Sequence, residues 1–404
     1  MGGAAMRVTI SPHGNITGTV KAPPSKSMAH RALICAGLAD GKSAIDNIAA
    51  SEDLLATMDC LRALGAGINY DPSELRAEVT GADPAARGEA SLCCRESGST
   101  LRFMLPLCAL SDKPAVLTGS GRLMERPLTI YEDIFGARGI AFERSGQEIR
   151  IKGSLKGGEY SMPGDVSSQF VSGLLFTLPL CKEDSLIRLE GKIESRPYID
   201  MTIKTLREFG IEVNWENETD LAIIGSQRYK AIDTTVEGDW SNAANLLALG
   251  AEVTGVSGES LQGDRVCREY FSRLTAGRAE LDIADCPDLG PVLMAYAALH
   301  HGAVLRGTRR LRFKESDRGA AMREELAKCS VDVRVEEDSI TVDGAAKAPA
   351  GTLQGHNDHR IVMALAAICA RTGGSIDGAE AVSKSFPDYF DKLEDLGIEI
   401  RKEI

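Results

Sequence analysis

One local pattern recurs along the chain at a nearly constant interval. An amphipathic helical segment ends at a glycine, and a β-branched residue then opens a short alternating segment, as in Leu206–Val213. A glycine after the last helical turn can adopt the left-handed conformation that ends a helix, and the β-branched residue favours a strand. The five copies have their first strand residues at Ile68, Ile140, Ile211, Val331 and Ile398.

These first strand residues are 72, 71, 120 and 67 positions apart, so the long interval is close to two shortened periods. A missing copy is expected near residue 270, where Tyr270–Leu281 is a degenerate candidate. The spacing predicts six α/β units of roughly 70 residues, three before about residue 236 and three after, each with two helices and several strands. The alternative is that the pattern is simply common in α/β proteins; the constant interval favours repetition.

Composition limits the classes of function. Asp plus Glu (58) exceed Lys plus Arg (46), which gives a net charge of −12 and argues against a general nucleic-acid binder. No apolar run approaches the ~18 residues of a membrane span. The first residues have neither the charged nor the apolar region of an export signal, so we expect a cytoplasmic protein. Ten scattered cysteines without a Cys-x-x-Cys pair predict reduced, mostly buried side chains and no metal site.

Short polar turns with nearby cations precede several apolar helical segments. The start of a helix presents free N–H groups and a partial positive charge, which suit a phosphate or carboxylate. A solvated capping turn or an ordinary surface charge could explain any one of them, but several in an acidic chain indicate a site for a polyanionic small molecule. The turns lie at Pro23–Arg31, Glu96–Arg102, Gly121–Pro127, Asp165–Phe170, Arg309–Arg318, Asn357–Arg360 and Ser383–Asp388.

Three of these segments carry a family resemblance. With Lys-Glu-Ser-Asp-Arg at Lys314–Arg318, Asn-Asp-His-Arg at Asn357–Arg360, and Met124–Pro127 after Arg122, the chain resembles the EPSP synthase family of enolpyruvyl transferases. The resemblance runs nearly end to end, from Ser25 to Phe390. It implies a transferase without metal or cofactor that joins the enolpyruvyl group of phosphoenolpyruvate to the 5-hydroxyl of shikimate 3-phosphate. This reaction belongs to chorismate and aromatic amino acid biosynthesis, and the family is the target of glyphosate.

The resemblance also implies a fold. Family members have two domains, each an inside-out α/β barrel of three βαβαββ-type units whose helices start at the interdomain cleft. Residues 1–22 and 237–404 would then form one enolpyruvyl-transferase domain and residues 23–236 the other, with the active site in the cleft and the protein a monomer.

Site residues follow from the resemblance position by position. Those expected to hold shikimate 3-phosphate are Lys26, Ser27, Arg31, Ser167, Ser168, Gln169, Ser195, Tyr198, Asp288 and Lys314. Those expected to hold phosphoenolpyruvate are Lys26, Gly98, Arg122, Gln169, Arg318, Arg360 and Lys384. Because carbon 3 must gain a proton while the hydroxyl attacks carbon 2, the chemistry needs one proton donor and one acceptor. We assign Glu315 as donor and Asp288 as acceptor, with Lys26 steadying charge.

The chain departs from the family pattern at three positions near the site, and one of them, Ser99 in place of a frequent Thr, keeps the hydroxyl group. Glu96 stands where Asn is frequent, and Arg310 stands where Asn often contacts shikimate 3-phosphate. Two rival interpretations are the sister enzyme that transfers enolpyruvate to UDP-N-acetylglucosamine and a non-catalytic, anion-binding repeat protein. The sister family usually has a cysteine nucleophile near Gly119–Arg126, and no cysteine occurs in that segment here.

Overall fold

The structure, a computed structural model, describes residues 5–14 and 16–403. In those residues the strands are β1 Arg7–Ile10, β2 Thr19–Lys21, β3 Ala39–Asp40, β4 Lys42–Asp46, β5 Gly67–Asp71, β6 Arg76–Thr80, β7 Ala90–Cys93, β8 Ala115–Thr118, β9 Ala141–Ser145, β10 Glu148–Lys152, β11 Gly158–Pro163, β12 Ser185–Glu190, β13 Val213–Trp215, β14 Asp220–Ile223, β15 Tyr229–Lys230, β16 Thr234–Thr235, β17 Glu252–Thr254, β18 Ala279–Asp282, β19 Ala303–Arg306, β20 Val333–Val335, β21 Ser339–Val342, β22 Leu353–Gln354, β23 Gly374–Asp377 and β24 Ile400–Glu403. The α-helices are α1 Lys26–Leu38, α2 Glu52–Ala63, α3 Gly98–Cys108, α4 Thr129–Ala137, α5 Ser168–Thr177, α6 Arg196–Glu208, α7 Trp240–Leu249, α8 Cys267–Ala276, α9 Gly290–Leu299, α10 Arg318–Lys328, α11 His359–Thr372 and α12 Tyr389–Asp395.

The chain divides into two compact units. The terminal unit comprises Met1–Pro23 and Gly238–Ile404, and the central unit comprises Pro24–Glu237. Each unit has its own apolar core.

Three four-stranded sheets of one topology build the central unit. Their strand orders are β16-β4-β6-β5, β7-β8-β10-β9 and β11-β12-β14-β13. In each sheet the first two strands are parallel and the remaining pairings are antiparallel, which is the arrangement of a βαβαββ unit. The first strand of the first sheet, β16, comes from the C-terminal end of the unit's sequence.

The terminal unit repeats this topology with one abbreviated copy. Its described residues form the sheets β18-β19-β21-β20 and β22-β23-β1-β24, in which β1 lies between β23 and β24, and the two-stranded sheet β17-β2. No hairpin follows α8 at the copy expected over Tyr270–Leu281. Gly277 has a φ of 167°, which is extended backbone, and β18 already belongs to the next sheet. This copy therefore has only β2, α7, β17 and α8.

Helices form the interior of each unit, and the sheets lie outside them. In α1, α3, α5, α7, α9 and α11 nearly every residue is buried, as expected of helices that are apolar on all sides. Helix α3 packs on α5, and α11 packs on both α7 and α9. Strands such as β10 and β12 alternate buried and exposed residues, so one sheet face covers the helices. No helix in the described part of the chain is long and apolar enough to cross a membrane.

The predicted helix ends are confirmed at the backbone. Gly65, Gly139, Gly210 and Gly397 have φ between +67° and +106°, and each follows a helix. In the weakest copy Ser330 takes the same role, with a φ of +63°. The strands that follow begin within two residues of the predicted positions. Nine of the ten cysteines are buried, and Cys93 is exposed.

Helix α5 packs so closely on its neighbours that there is no space for a side chain at Gly173. A Cβ on Gly173 in α5 would lie 2.2 Å from Tyr131 Oη and 2.6 Å from the carbonyl oxygen of Arg102. We expect Gly173→Ala to lower the free energy of unfolding by about 1–3 kcal/mol, measured by urea denaturation. Gly136→Ala is the matched control, because a Cβ there would meet nothing within 4 Å, and it should raise stability by about 0.4–1 kcal/mol. Equal stabilities would contradict the packing argument.

Candidate active site

The start of α1 holds a cation against the start of α2. Ser25 caps α1 by accepting a hydrogen bond from the backbone N–H of Met28 at 3.4 Å. Lys26, the first residue of α1, donates its Nζ to Asp53 Oδ2 at 2.7 Å, and both side chains are mostly buried. Because Asp53 lies in the first turn of α2, this ion pair fixes the Lys26 ammonium between two helix starts.

Arg31 ties α1 to α6. Its guanidinium is buried and donates from Nε to Thr202 Oγ1 at 2.9 Å. It also donates from Nη1 to the carbonyl of Ser27 at 2.6 Å and from Nη2 to the carbonyl of Tyr198 at 2.9 Å. Burial lowers the pKa of Arg31 to about 10, so the group stays charged at neutral pH. Arg31 thereby fixes the backbone at Ser27 and Tyr198.

Two guanidinium groups lie over the first residue of α3. A Cβ on Gly98 would be 2.5 Å from Arg126 Nη1 and 3.1 Å from Arg102 Nη1, so a larger residue would displace these guanidinium groups. Arg102 Nη1 also donates to Gln169 Oε1 at 2.7 Å, and Gln169 Nε2 donates to Ser99 Oγ at 2.8 Å. These bonds join the starts of α3 and α5 and place two cations where a helix start favours an anion.

In the terminal unit, one arginine binds three carboxylates. Arg318, the first residue of α10, has a side chain that is 2% exposed. It donates from Nε to Asp358 Oδ2 at 2.9 Å, from Nη1 to Asp288 Oδ1 at 2.8 Å and from Nη2 to Glu315 Oε2 at 2.7 Å. Burial lowers the pKa of Arg318, but the three carboxylates outweigh that effect and raise the pKa above its usual value. Arg318 is therefore permanently charged.

Asp288 is surrounded by cations. Besides Arg318, Lys314 Nζ donates to Asp288 Oδ1 at 3.1 Å, and Arg360 Nη2 lies 3.7 Å from Asp288 Oδ2. Burial raises the pKa of Asp288, but the charges of these three cations hold it well below 3.8. Burial also lowers the pKa of Lys314. At neutral pH Asp288 is thus a carboxylate that can accept a hydrogen bond.

Two further cations lie at neighbouring helix ends. Arg360, in the first turn of α11, donates from Nη1 to Asn242 Oδ1 at 2.9 Å and from Nη2 to Ser241 Oγ. Lys384 donates its Nζ to the backbone carbonyl of Asn357 at 2.7 Å. These hydrogen bonds hold Arg360 and Lys384 beside the start of α11.

Comparison with known proteins identifies the family. The family model described as EPSP synthase (3-phosphoshikimate 1-carboxyvinyltransferase) matches residues 10–393. The chain belongs to the EPSP synthase family. A relative named 3-phosphoshikimate 1-carboxyvinyltransferase from Clostridium kluyveri is 40% identical over an alignment of 420 positions, which covers 97% of this chain and 98% of the relative. A relative of the same name from Clostridium perfringens is 38% identical over 426 positions, covering 98% and 100%.

Solved structures show the same fold. An EPSP synthase from Acinetobacter baumannii superimposes with a TM-score of 0.80 at 23% identity, covering 99% of this chain and 100% of that one. The enolpyruvyl transferase NikO from Streptomyces tendae gives a TM-score of 0.75 at 16% identity, covering 98% and 99%. The predicted fold class, a two-domain inside-out α/β barrel of repeated units, is thereby confirmed.

The structure gathers the residues predicted for an EPSP synthase family site into one group in each unit, nearly all at helix starts. In the central unit Lys26, Ser27 and Arg31 lie on α1, Gly98 begins α3, Ser167 caps α5 ahead of Ser168 and Gln169, and Ser195 precedes α6, which carries Tyr198. In the terminal unit Asp288, Lys314, Glu315, Arg318 and Arg360 surround one another, and Lys384 bonds to the turn before α11.

Arg122 is the exception. Its side chain is 54% exposed and pairs with Glu125 at 3.2 Å in the 3₁₀ turn Leu123–Glu125. The guanidinium groups over Gly98 come from Arg102 and Arg126, which are not among the predicted site residues. Both belong to the polar turns that precede apolar helical segments, and the signal for each is an arginine near a helix start.

Two more contributing residues were not predicted. Asp53 and Asp358 each stand in the first turn or at the cap of a helix, and each holds a predicted cation. Their signal is an acidic residue at a helix start, which ordinary capping also explains.

The structure also locates Glu96 and Arg310, which depart from the family pattern. Glu96 lies against Gly121, with its Cδ 2.8 Å from the position of a Cβ there, and Arg310 Nη2 donates to the carbonyl of Ala284.

The low pKa of Asp288 gives a testable dependence of stability on pH. Since its pKa is lower in the folded than in the unfolded chain, the ionised carboxylate adds stability that is present above about pH 4 and is lost as pH falls below that value. We expect Asp288→Asn to cost about 3–5 kcal/mol at pH 7, because three cations lose their shared partner. In urea titrations this difference should shrink below about pH 4.

The matched control is Asp343→Asn, which removes an exposed ion pair with Arg278 at 2.9 Å. Its cost should be about 0–1 kcal/mol. A cost of Asp288→Asn that stays constant down to pH 3 would contradict the electrostatic account.

Proposed function

We propose that this chain transfers the enolpyruvyl group of phosphoenolpyruvate to the 5-hydroxyl of shikimate 3-phosphate, with release of phosphate. The observation that carries this proposal is the centre at Arg318. One guanidinium holds both carboxyl groups that the reaction needs, Asp288 and Glu315, with Lys314 and Arg360 beside them. Family membership over nearly the whole chain supports the same reaction.

We also propose that the central and terminal units are the two enolpyruvyl-transferase domains. Each contains the repeated sheet topology, and each carries candidate residues, with ten in the central unit and six in the terminal unit. The ten unpaired cysteines support a reducing compartment, the cytoplasm. We propose a monomer, as the family resemblance implies.

For shikimate 3-phosphate, we propose a set of short polar side chains at the starts of α1, α5 and α6. Ser27 and Ser168 bring hydroxyl groups next to free backbone N–H groups, an arrangement that suits a phosphate. Arg31 keeps Ser27 and Tyr198 in place. The full set is Lys26, Ser27, Arg31, Ser167, Ser168, Gln169, Ser195, Tyr198, Asp288 and Lys314.

For phosphoenolpyruvate, we propose a set of residues from both units, most of which are cations. The terminal unit supplies Arg318, Arg360 and Lys384, and the central unit supplies Lys26, Gly98 and Gln169. We propose Arg102 and Arg126 in place of Arg122, because their guanidinium groups lie over Gly98, whereas Arg122 is exposed and pairs with Glu125. Planar arginine forks match the carboxylate and phosphate of this substrate.

The proposed chemistry is an addition followed by an elimination. The 5-hydroxyl oxygen bonds to carbon 2 as its proton passes to Asp288, and the double-bond pair of phosphoenolpyruvate takes a proton at carbon 3 from Glu315, which is protonated when both substrates are bound. In the resulting tetrahedral intermediate the Glu315 carboxylate takes back a proton from carbon 3, the electron pair of that C–H bond restores the double bond, and the carbon 2–oxygen bond breaks to release phosphate. Lys26 steadies the negative charges.

The role of Glu315 is tested by Glu315→Gln. We expect phosphate release from the two substrates to fall about 10²- to 10⁴-fold in kcat, as for loss of a general acid. Calorimetric affinities should stay within about twofold, because the amide keeps the shape of the side chain. Unchanged turnover would remove Glu315 from the mechanism. Binding without any phosphate release by the unmodified protein would favour the anion-binding repeat protein instead.

Arg126→Met and Arg122→Met form a matched pair four residues apart. The structure predicts that Arg126→Met raises KM for phosphoenolpyruvate about tenfold or more, since it removes a guanidinium over Gly98. Arg122→Met removes an exposed ion pair with Glu125 and should change KM less than about twofold. The reverse result would support the original assignment of Arg122.

A further inference from the structure

A tight turn of uncommon backbone conformation precedes α11. The backbone N–H of Asp358 donates to the carbonyl of Gly355 at 2.9 Å, and the two residues between them, His356 and Asn357, have φ of +50° and +53°. Positive φ at both central positions is the mark of a type I′ turn, which usually contains glycine. Side chains with a Cβ disfavour this conformation, so surrounding contacts must hold the turn in place.

This turn bonds to all three residues that supply the cations proposed for phosphoenolpyruvate in the terminal unit, to the side chains of Arg318 and Lys384 and to the backbone of Arg360. The Asp358 carboxylate accepts from Arg318 Nε at 2.9 Å and from the backbone N–H of Arg360 at 2.9 Å. The carbonyl of Asn357 accepts from Lys384 Nζ at 2.7 Å. A change in the turn would therefore displace the three cations together.

One buried carboxylate on α10 anchors the turn. The Glu325 side chain is 0% exposed. Its Oε1 accepts from His356 Nε2 at 2.8 Å, and its Oε2 accepts from the backbone N–H of Gln354 at 2.9 Å. Lys328 Nζ also binds this carboxylate, at 2.8 Å. Since α10 begins with Arg318, the same helix carries both the cation and the anchor of the turn that binds it.

We propose that Glu325 and His356 are positioning residues for phosphoenolpyruvate, acting through the turn Gly355–Asp358 on Arg318, Arg360 and Lys384. The inference rests on the proposed function and deepens it. Neither residue needs to touch a substrate, because their effect passes through the turn.

The pair gives this positioning a pH dependence. The hydrogen bond to Glu325 raises the pKa of His356 above 6.5. The charge-assisted contact is thus complete below pH 6.5 and is lost as pH rises through the folded pKa, so KM for phosphoenolpyruvate should increase on the alkaline side. Charged groups from four elements surround His356 and its turn. Helix α10 supplies Arg318, Glu324, Glu325 and Lys328, and the start of α11 supplies Asp358 and Arg360. Lys384 comes from the 3₁₀ turn Ala379–Lys384, and Asp377 of β23 accepts a hydrogen bond from the Gln354 side chain.

His356→Asn is the decisive variant. Asparagine tolerates positive φ but is too short to reach Glu325, so the backbone preference survives and the anchor is lost. We expect KM for phosphoenolpyruvate to rise about tenfold, while KM for shikimate 3-phosphate changes less than about twofold. His356→Gln keeps an N–H donor with longer reach, so it should restore most of the affinity at pH 7 and abolish the alkaline rise in KM. Glu325→Gln should resemble His356→Asn, and Arg323→Gln, which removes an exposed charge from the same helix, should behave as wild type.

An unchanged KM for phosphoenolpyruvate in His356→Asn would overturn the proposal. Equal increases in both KM values would also overturn it, since a merely structural role would raise both. An alkaline rise in KM that persists in His356→Gln would overturn it as well, because that rise would not depend on the imidazole. Should the wild-type protein release no phosphate from the two substrates, the proposed function fails separately. The affinity of wild type and His356→Asn for inorganic phosphate, measured by calorimetry, would then test the positioning alone, with about tenfold weaker binding expected for the variant.

Discussion

When a helix is buried on every side, only its two ends can present unpaired backbone polar groups to a ligand. The inner helices of both units are in this position, and their first N–H groups need partners. Side chains such as Ser25, Ser97 and Asp358 satisfy some of these groups, while the partial positive charge of each start remains. Because the fold repeats the same inner helix, it repeats this anion-attracting end as well. The candidate site is thus a consequence of how the core is built.

Local features of the fold could be predicted because local physics determines them. The glycines after α2, α6 and α12 adopt positive φ, and this single requirement produced the period from which the repeats were inferred. The pairing of strands that lie far apart in the sequence could not be predicted in the same way. Arg7 in β1 pairs with Asp377 in β23, and β16 pairs with β4, so the partners lie in distant segments. Two- to four-residue strands contain too little pattern to specify such partners.

In the site, sequence resemblance located the helix starts better than it located the side chains that act together. Arg122 and Arg126 belong to one short segment, and their spacing alone does not decide which of them faces Gly98. The intervening 3₁₀ turn has about three residues per turn, so it sets Arg122 beside Glu125 in solvent and turns Arg126 inward. Asp358 was overlooked for a similar reason, since its partner Arg318 starts a different helix.

The cations of this acidic chain are not a bare positive patch. Lys26 is paired with Asp53, and Arg318 binds three carboxylates. These ion pairs fix the positions of both cations before any substrate arrives. Fixed charges need little reorganisation during the reaction, which is the main electrostatic advantage of a protein site over water. The same arrangement makes Asp288 a weak base at rest, since cations hold its pKa low. An anionic substrate would offset those cations and raise the proton affinity of Asp288, so binding itself would prepare the carboxylate to accept the hydroxyl proton.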